Sequence, residues 1–92
     1  MTIKSIIQSK KRCFFCGVNY GLEVHHCLHG SRRKIADKYG LTVYLCRECH
    51  RGNQGVHFNK EKDDLLKRLA EERFEAKYGE DEWFRVVGKR YI

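Results

Sequence analysis

Cys13-Phe14-Phe15-Cys16-Gly17 and, 29 residues after Cys16, Leu45-Cys46-Arg47-Glu48-Cys49-His50 are the stretches that decide the fold. Each carries a Cys-x-x-Cys pair, which offers two thiolates from one tight turn. Two such knuckles complete a tetrahedral set of soft sulfur ligands, the donor set of a structural zinc ion. A closed four-cysteine site contributes folding energy and keeps no open position for chemistry. The intervening segment is longer than in short zinc ribbons and must hold structure of its own. Leu22 to Leu28 reads as a first strand and Thr42-Val43-Tyr44-Leu45 as a second. Ser31 to Gly40 lies between them as a short helix or turn, with Ser31 a plausible N-cap and Gly40 a stop. The fifth cysteine, Cys27, falls inside the first strand and reads as a small buried hydrophobe.

Downstream of the second knuckle, Arg51 to Phe58 contains Gly52 and Gly55 and reads as loop or an irregular turn. A long helix follows, capped by Asn59, with Asp63 and Asp64 near its positive end. Its apolar stripe is Leu65, Leu66, Leu69, Ala70, Phe74 and Tyr78, and Gly79 ends it. A shorter helix over about Asp81 to Val87 turns Trp83, Phe84 and Val87 inward, and Gly88 ends it. The sequence thus predicts one α+β domain over 1–92, a zinc-stapled core at 13–58 with a two-helix extension at 59–92. A chain of 92 residues has a marginal core, which makes such a staple expected.

Charge is unevenly placed. Residues 1–57 hold 10 basic and 3 acidic side chains, whereas residues 58–92 hold 9 of each. The net +7 therefore sits in the knuckle half, a field suited to a polyanion such as nucleic acid, although a soluble protein can be basic without binding one. No run of 18 apolar residues exists, so a membrane span is not expected. The opening Met1-Thr2-Ile3-Lys4-Ser5-Ile6-Ile7-Gln8 does not read as a signal peptide, which predicts a reducing cytoplasm and favours metal over disulfides.

All five histidines, at 25, 26, 29, 50 and 57, lie in that basic half. His25 and His26 are neighbours on a strand and point to opposite faces. One or two of the five can simply pack or cap. Together, their spacing allows a second, open metal site of the kind catalysis needs.

The combination Cys13-Phe-Phe-Cys16, Leu22-Glu-Val-His-His26 and Leu45-Cys-Arg-Glu-Cys-His50 resembles HNH endonucleases of the ββα-metal class, small phage and prophage members above all. The resemblance covers residues 13–58, about half the chain. It implies a treble-clef-like ββα-metal core and metal-dependent hydrolysis of DNA phosphodiesters to a 5′-phosphate and a 3′-hydroxyl. It implies that His26 is the general base that activates water, and that His25, His50 and His57 bind a catalytic divalent cation, Mg²⁺, Mn²⁺, Ni²⁺ or Zn²⁺. Many members carry Asp where this chain has His25, a departure that favours the softer cations over Mg²⁺. The middle Asn of the motif has no counterpart in Lys38 to Tyr44, and Asn53 and Asn59 fall after the knuckle. Arg32, Arg33, Lys34 and His29 follow the first strand, where they can contact phosphates or form a solvated face.

DNA is the expected partner, with RNA as a further possibility. A second copy of the chain or a phage protein can supply selectivity that so small a surface lacks. Two rival readings use the same residues. A zinc-stabilised nucleic-acid-binding module without catalysis would need the cysteines and the basic side chains but not the histidine set. A protein-interaction adaptor would use an apolar patch across residues 65–87.

Overall fold

A computed structural model describes residues 5–52 and 55–92. The opening residues 1–4 and Asn53 with Gln54 lie outside the described residues. Strand β1 (Leu22–His26) pairs antiparallel with β2 (Thr42–Cys46), with Leu22 opposite Cys46 and His26 opposite Thr42. Between them a 3-10 turn (Gly30–Arg32) leads into helix α1 (Arg33–Tyr39). After β2 come α2 (Arg47–Arg51), a second 3-10 turn (Val56–Phe58), α3 (Lys60–Tyr78) and α4 (Glu80–Val86). The result is a small α+β fold with a two-stranded sheet and, among the described residues, four α-helices.

The local signals act mostly where their chemistry places them. Asn59 caps α3 by accepting a hydrogen bond from the Lys62 N–H at 3.1 Å. Gly40 ends α1 in the left-handed conformation (φ 73°), which spares any Cβ clash there. Ser31 differs from the sequence expectation. It sits inside the 3-10 turn, and α1 starts from Arg32 without a side-chain cap. The first strand also ends earlier than its apolar run, at His26. Cys27 and Leu28 leave the ladder but stay fully buried, with the Cys27 N–H bonded to the Leu41 carbonyl at 2.9 Å.

The core joins the strand pair to α3 and α4. Val43, Leu45, Leu66, Ala70, Phe74 and Trp83 are buried. Each large side chain stabilises the fold by about 1.5–3 kcal/mol through removal from water. Phe74 meets Trp83 edge-on at a ring distance of 5.4 Å and Tyr39 at 5.1 Å, and the Trp83 indole N–H donates to the Lys89 carbonyl at 2.7 Å. The stripe of α3 is narrower than its sequence suggests. Leu66, Ala70 and Phe74 repeat every four residues and face inward, while Leu65 and Tyr78 stand at the edge and are exposed. On α4 Trp83 is buried, as is Val87 just past its end, but Phe84 is exposed, because a single short helix turns only one face to the core.

Glu71 was not legible as an interior residue. Its carboxylate is fully buried on α3, where it accepts from Arg90 Nε at 3.1 Å and from the backbone N–H groups of Tyr91 (2.5 Å) and Ile92 (3.3 Å). A buried charge persists only when its lone pairs are met in this way. The buried carboxylate thereby ties the C-terminal segment to α3. No helix among the described residues is long and apolar enough to cross a membrane.

Candidate metal centre

Four sulfurs, those of Cys13, Cys16, Cys46 and Cys49, lie within 4.8 Å of one another. The two knuckles repeat one device. The Cys16 N–H points at Cys13 Sγ and the Cys49 N–H at Cys46 Sγ, both at 3.5 Å. Backbone donors aimed at sulfur stabilise thiolate, the form that binds metal. Burial pushes the Cys13 thiol up, yet the backbone groups of Cys46, Cys16 and Phe15 overcome it and bring the thiol down to about 6. Cys49 moves upward, first through burial and then through the neighbouring sulfurs. Four thiols crowded together resist collective ionisation, and a dication relieves that conflict. The cluster can therefore hold a structural metal such as zinc. Cys27 stays apart, fully buried, with burial raising its thiol to about 12.

A second cluster is built of imidazoles. His25 projects from β1 into the interior and is 2% exposed, while its neighbour His26 takes the opposite face. The His25 ring lies 5.3 Å from His29, 5.3 Å from His50 and 5.6 Å from His57, measured between ring centroids. One ring nitrogen from each of His25, His50 and His57 falls within 4.8 Å of the others. His57 Nε2 and His50 Nε2 are 3.0 Å apart. His25 Nε2 is buried and has no hydrogen-bond partner. An orphaned buried nitrogen facing other imidazoles is costly unless something occupies the space between them.

Two local features set this geometry. Gly55 packs against α2 so closely that a Cβ would lie 2.9 Å from the Glu48 carbonyl oxygen and 2.9 Å from the His50 carbonyl carbon. Only glycine brings the following turn, and with it His57, this near to His50. Glu23 of β1 accepts from His50 Nδ1 at 2.8 Å and also binds the Arg51 guanidinium. These bonds hold the Glu23 carboxyl below its ordinary range, the His50 hydrogen bond foremost. The carboxylate fixes the His50 tautomer and leaves Nε2 unprotonated, its lone pair turned toward His57, as metal-bound histidines require. Burial above all, joined by the positive charge that His29, His50 and His57 would carry, lowers His25 to about 3. His57 is lowered for the same reasons, burial first. Neutral imidazoles are the ligating form.

His29 joins this cluster rather than the basic run beside it. Its Nε2 lies 2.6 Å from Asp63 Oδ1 on α3, and His25, His29 and Asp63 form a further group whose donor atoms lie within 4.8 Å. Sequence reading assigned Asp63 only to the helix dipole. Nothing in the local pattern links it to His29, 34 residues away. His26 stands outside these groups. Its Nε2 is 3.4 Å from Asp37 Oδ1, and it shares a groove with Val24, Gly30, Arg33, Lys34 and Asp37. The structure thus brings His26, Arg33 and Lys34 together, while Arg32 is not among the side chains lining that groove. Asn59 is occupied as the cap of α3, and Asn53 lies outside the described residues. No family model matches the chain, and no curated protein or solved structure matches it.

Proposed function

We propose that this chain is a metal-dependent DNA endonuclease of the HNH type, with a zinc-stapled ββα-metal core extended by α3 and α4. The carrying observation is the buried, unpartnered His25 Nε2 facing His50 and His57, with Glu23 setting the His50 tautomer. Buried nitrogen donors and a carboxylate behind one of them fit a divalent cation of the Mn²⁺, Ni²⁺ or Zn²⁺ kind. When bound there, such a cation supplies positive charge for a phosphate and its leaving oxygen.

The remaining work falls to the chain. His26 takes a proton from water as the water oxygen forms a bond to phosphorus. The bond from phosphorus to the 3′-oxygen breaks, and that oxygen leaves with a proton from solvent. Asp37 accepts from His26 Nε2–H, favouring the tautomer whose Nδ1 is free to receive the proton. Arg33 and Lys34, exposed beside His26, neutralise neighbouring phosphates. His25 and His26 occupy opposite faces of β1, which has a partner strand on one side only among the described residues. A phosphate seated at the open edge of β1 would be reached from both faces.

A plasmid cleavage assay with Mg²⁺, Mn²⁺, Ni²⁺ or EDTA tests this reading. Metal-dependent nicking or linearisation is expected. His26→Ala should slow it by at least about a hundredfold while DNA binding and fold persist. Salt-sensitive DNA binding with no cleavage under any metal would instead identify a zinc-stabilised binding module.

A further inference from the structure

We infer that Asp63 and His29 form, with His25, a second position for a divalent cation, overlapping the first through the shared His25. The inference rests on reading the histidine cluster as a metal centre, and it adds helix α3 to that centre.

Asp63 is placed as a ligand carboxylate would be. Its two oxygens face different partners: Oδ2 is held by Lys67 Nζ at 3.0 Å, and Oδ1 lies 2.6 Å from His29 Nε2. Lys67 is one turn along α3, so the ion pair fixes the carboxylate and aims Oδ1 toward the imidazoles. The third donor is His25, nine-tenths buried or more, with its Nε2 unpartnered. The rim is open to solvent where His29, His57, Asn59, Lys60 and Asp63 line one cleft. Two imidazoles and one carboxylate suit Mn²⁺, Co²⁺, Ni²⁺ or Zn²⁺ better than an all-oxygen cation such as Ca²⁺. Because His25 serves both sets, one cation occupies one position or the other.

The test uses the full chain with zinc already loaded, titrated with Mn²⁺, with the EPR signal of free Mn²⁺ as readout. The His50→Ala, His57→Ala double variant keeps only His25 of the first set. It should still bind Mn²⁺, and adding Asp63→Asn should abolish that binding. His29→Gln in place of Asp63→Asn should weaken it by at least about tenfold. Should the alanine pair melt early, His50→Gln with His57→Gln replaces it. A folded double variant that binds no Mn²⁺, or a triple variant that binds as the double does, would overturn the second position. Wild-type protein that takes up no Mn²⁺ would overturn both this inference and the reading it rests on. Mn²⁺ uptake lost with Asp63 but without plasmid cleavage would uphold the second position and overturn the nuclease.

Discussion

Cys49 and His50 are adjacent in the chain, yet they belong to clusters built on opposite principles. The sulfur cluster is symmetric and local. Two turns of the same kind each present two cysteines, and each places a backbone N–H on a sulfur. The imidazole cluster is asymmetric and long-range. It gathers β1, α2, a 3-10 turn and α3, and its orientation comes from the side chains Glu23 and Asp63. The first suits a fold that needs a staple. The second leaves His29 and His57 exposed at its rim. The difference teaches that neighbouring residues can be oriented by separate means, the sulfurs by backbone donors within their own turns and the imidazoles by side chains brought from distant elements.

The strongest way to break this comparison is to remove one member of each cluster. Cys46→Ser should abolish cooperative thermal unfolding, read by circular dichroism, because structural zinc sites supply folding free energy of order 10 kcal/mol. His50→Ala should leave the zinc content and the unfolding transition in place while Mn²⁺ uptake in the first position is lost. Equal thermal damage from both substitutions would erase the distinction.

Acid should separate the clusters by a few kcal/mol. Burial above all lowers His25 to about 3 from its ordinary 6.5. Between those values the unfolded chain binds a proton that the folded one refuses, so stability rises with pH across the window. Protein free of cation at the histidine centre should therefore lose stability, on the order of a few kcal/mol, as pH falls from about 6.5 toward 3. His25→Gln should flatten that slope in urea titrations. An unchanged slope would place the acid sensitivity elsewhere.

A smaller effect should follow from Glu23→Gln, which keeps the shape but weakens the hydrogen bond to His50 Nδ1. Mn²⁺ affinity should drop about tenfold, some 1.4 kcal/mol, with zinc at the cysteines retained. The smallest contrast lies in the helical extension. Phe84→Ala at its exposed position should shift stability by no more than about 0.5 kcal/mol, against about 3–5 kcal/mol for Trp83→Ala beside it. Comparable melting shifts for the two would mean that Phe84 packs in solution.

What the sequence determined by itself is short-range. The knuckle spacing places two sulfurs on one turn whatever surrounds them. The opposite facing of His25 and His26 follows from strand geometry alone. Asn59, Gly40 and Gly79 bound their helices through bonds and dihedrals within a few residues. Composition placed the positive charge in the knuckle half. Tertiary structure decided the rest. Asp63 meets His29 only because the start of α3 comes to lie near His25 of β1. Glu71 is interior because the C-terminal segment folds back to supply its donors. Phe84 faces water because α4 packs through Trp83. His26 joins Arg33, Lys34 and Asp37 rather than the other histidines because α1 flanks its side of the strand. The physical reason is common to all four. A local pattern fixes which way a side chain leaves its own element, whereas its partner is set by the packing of elements far apart in the chain.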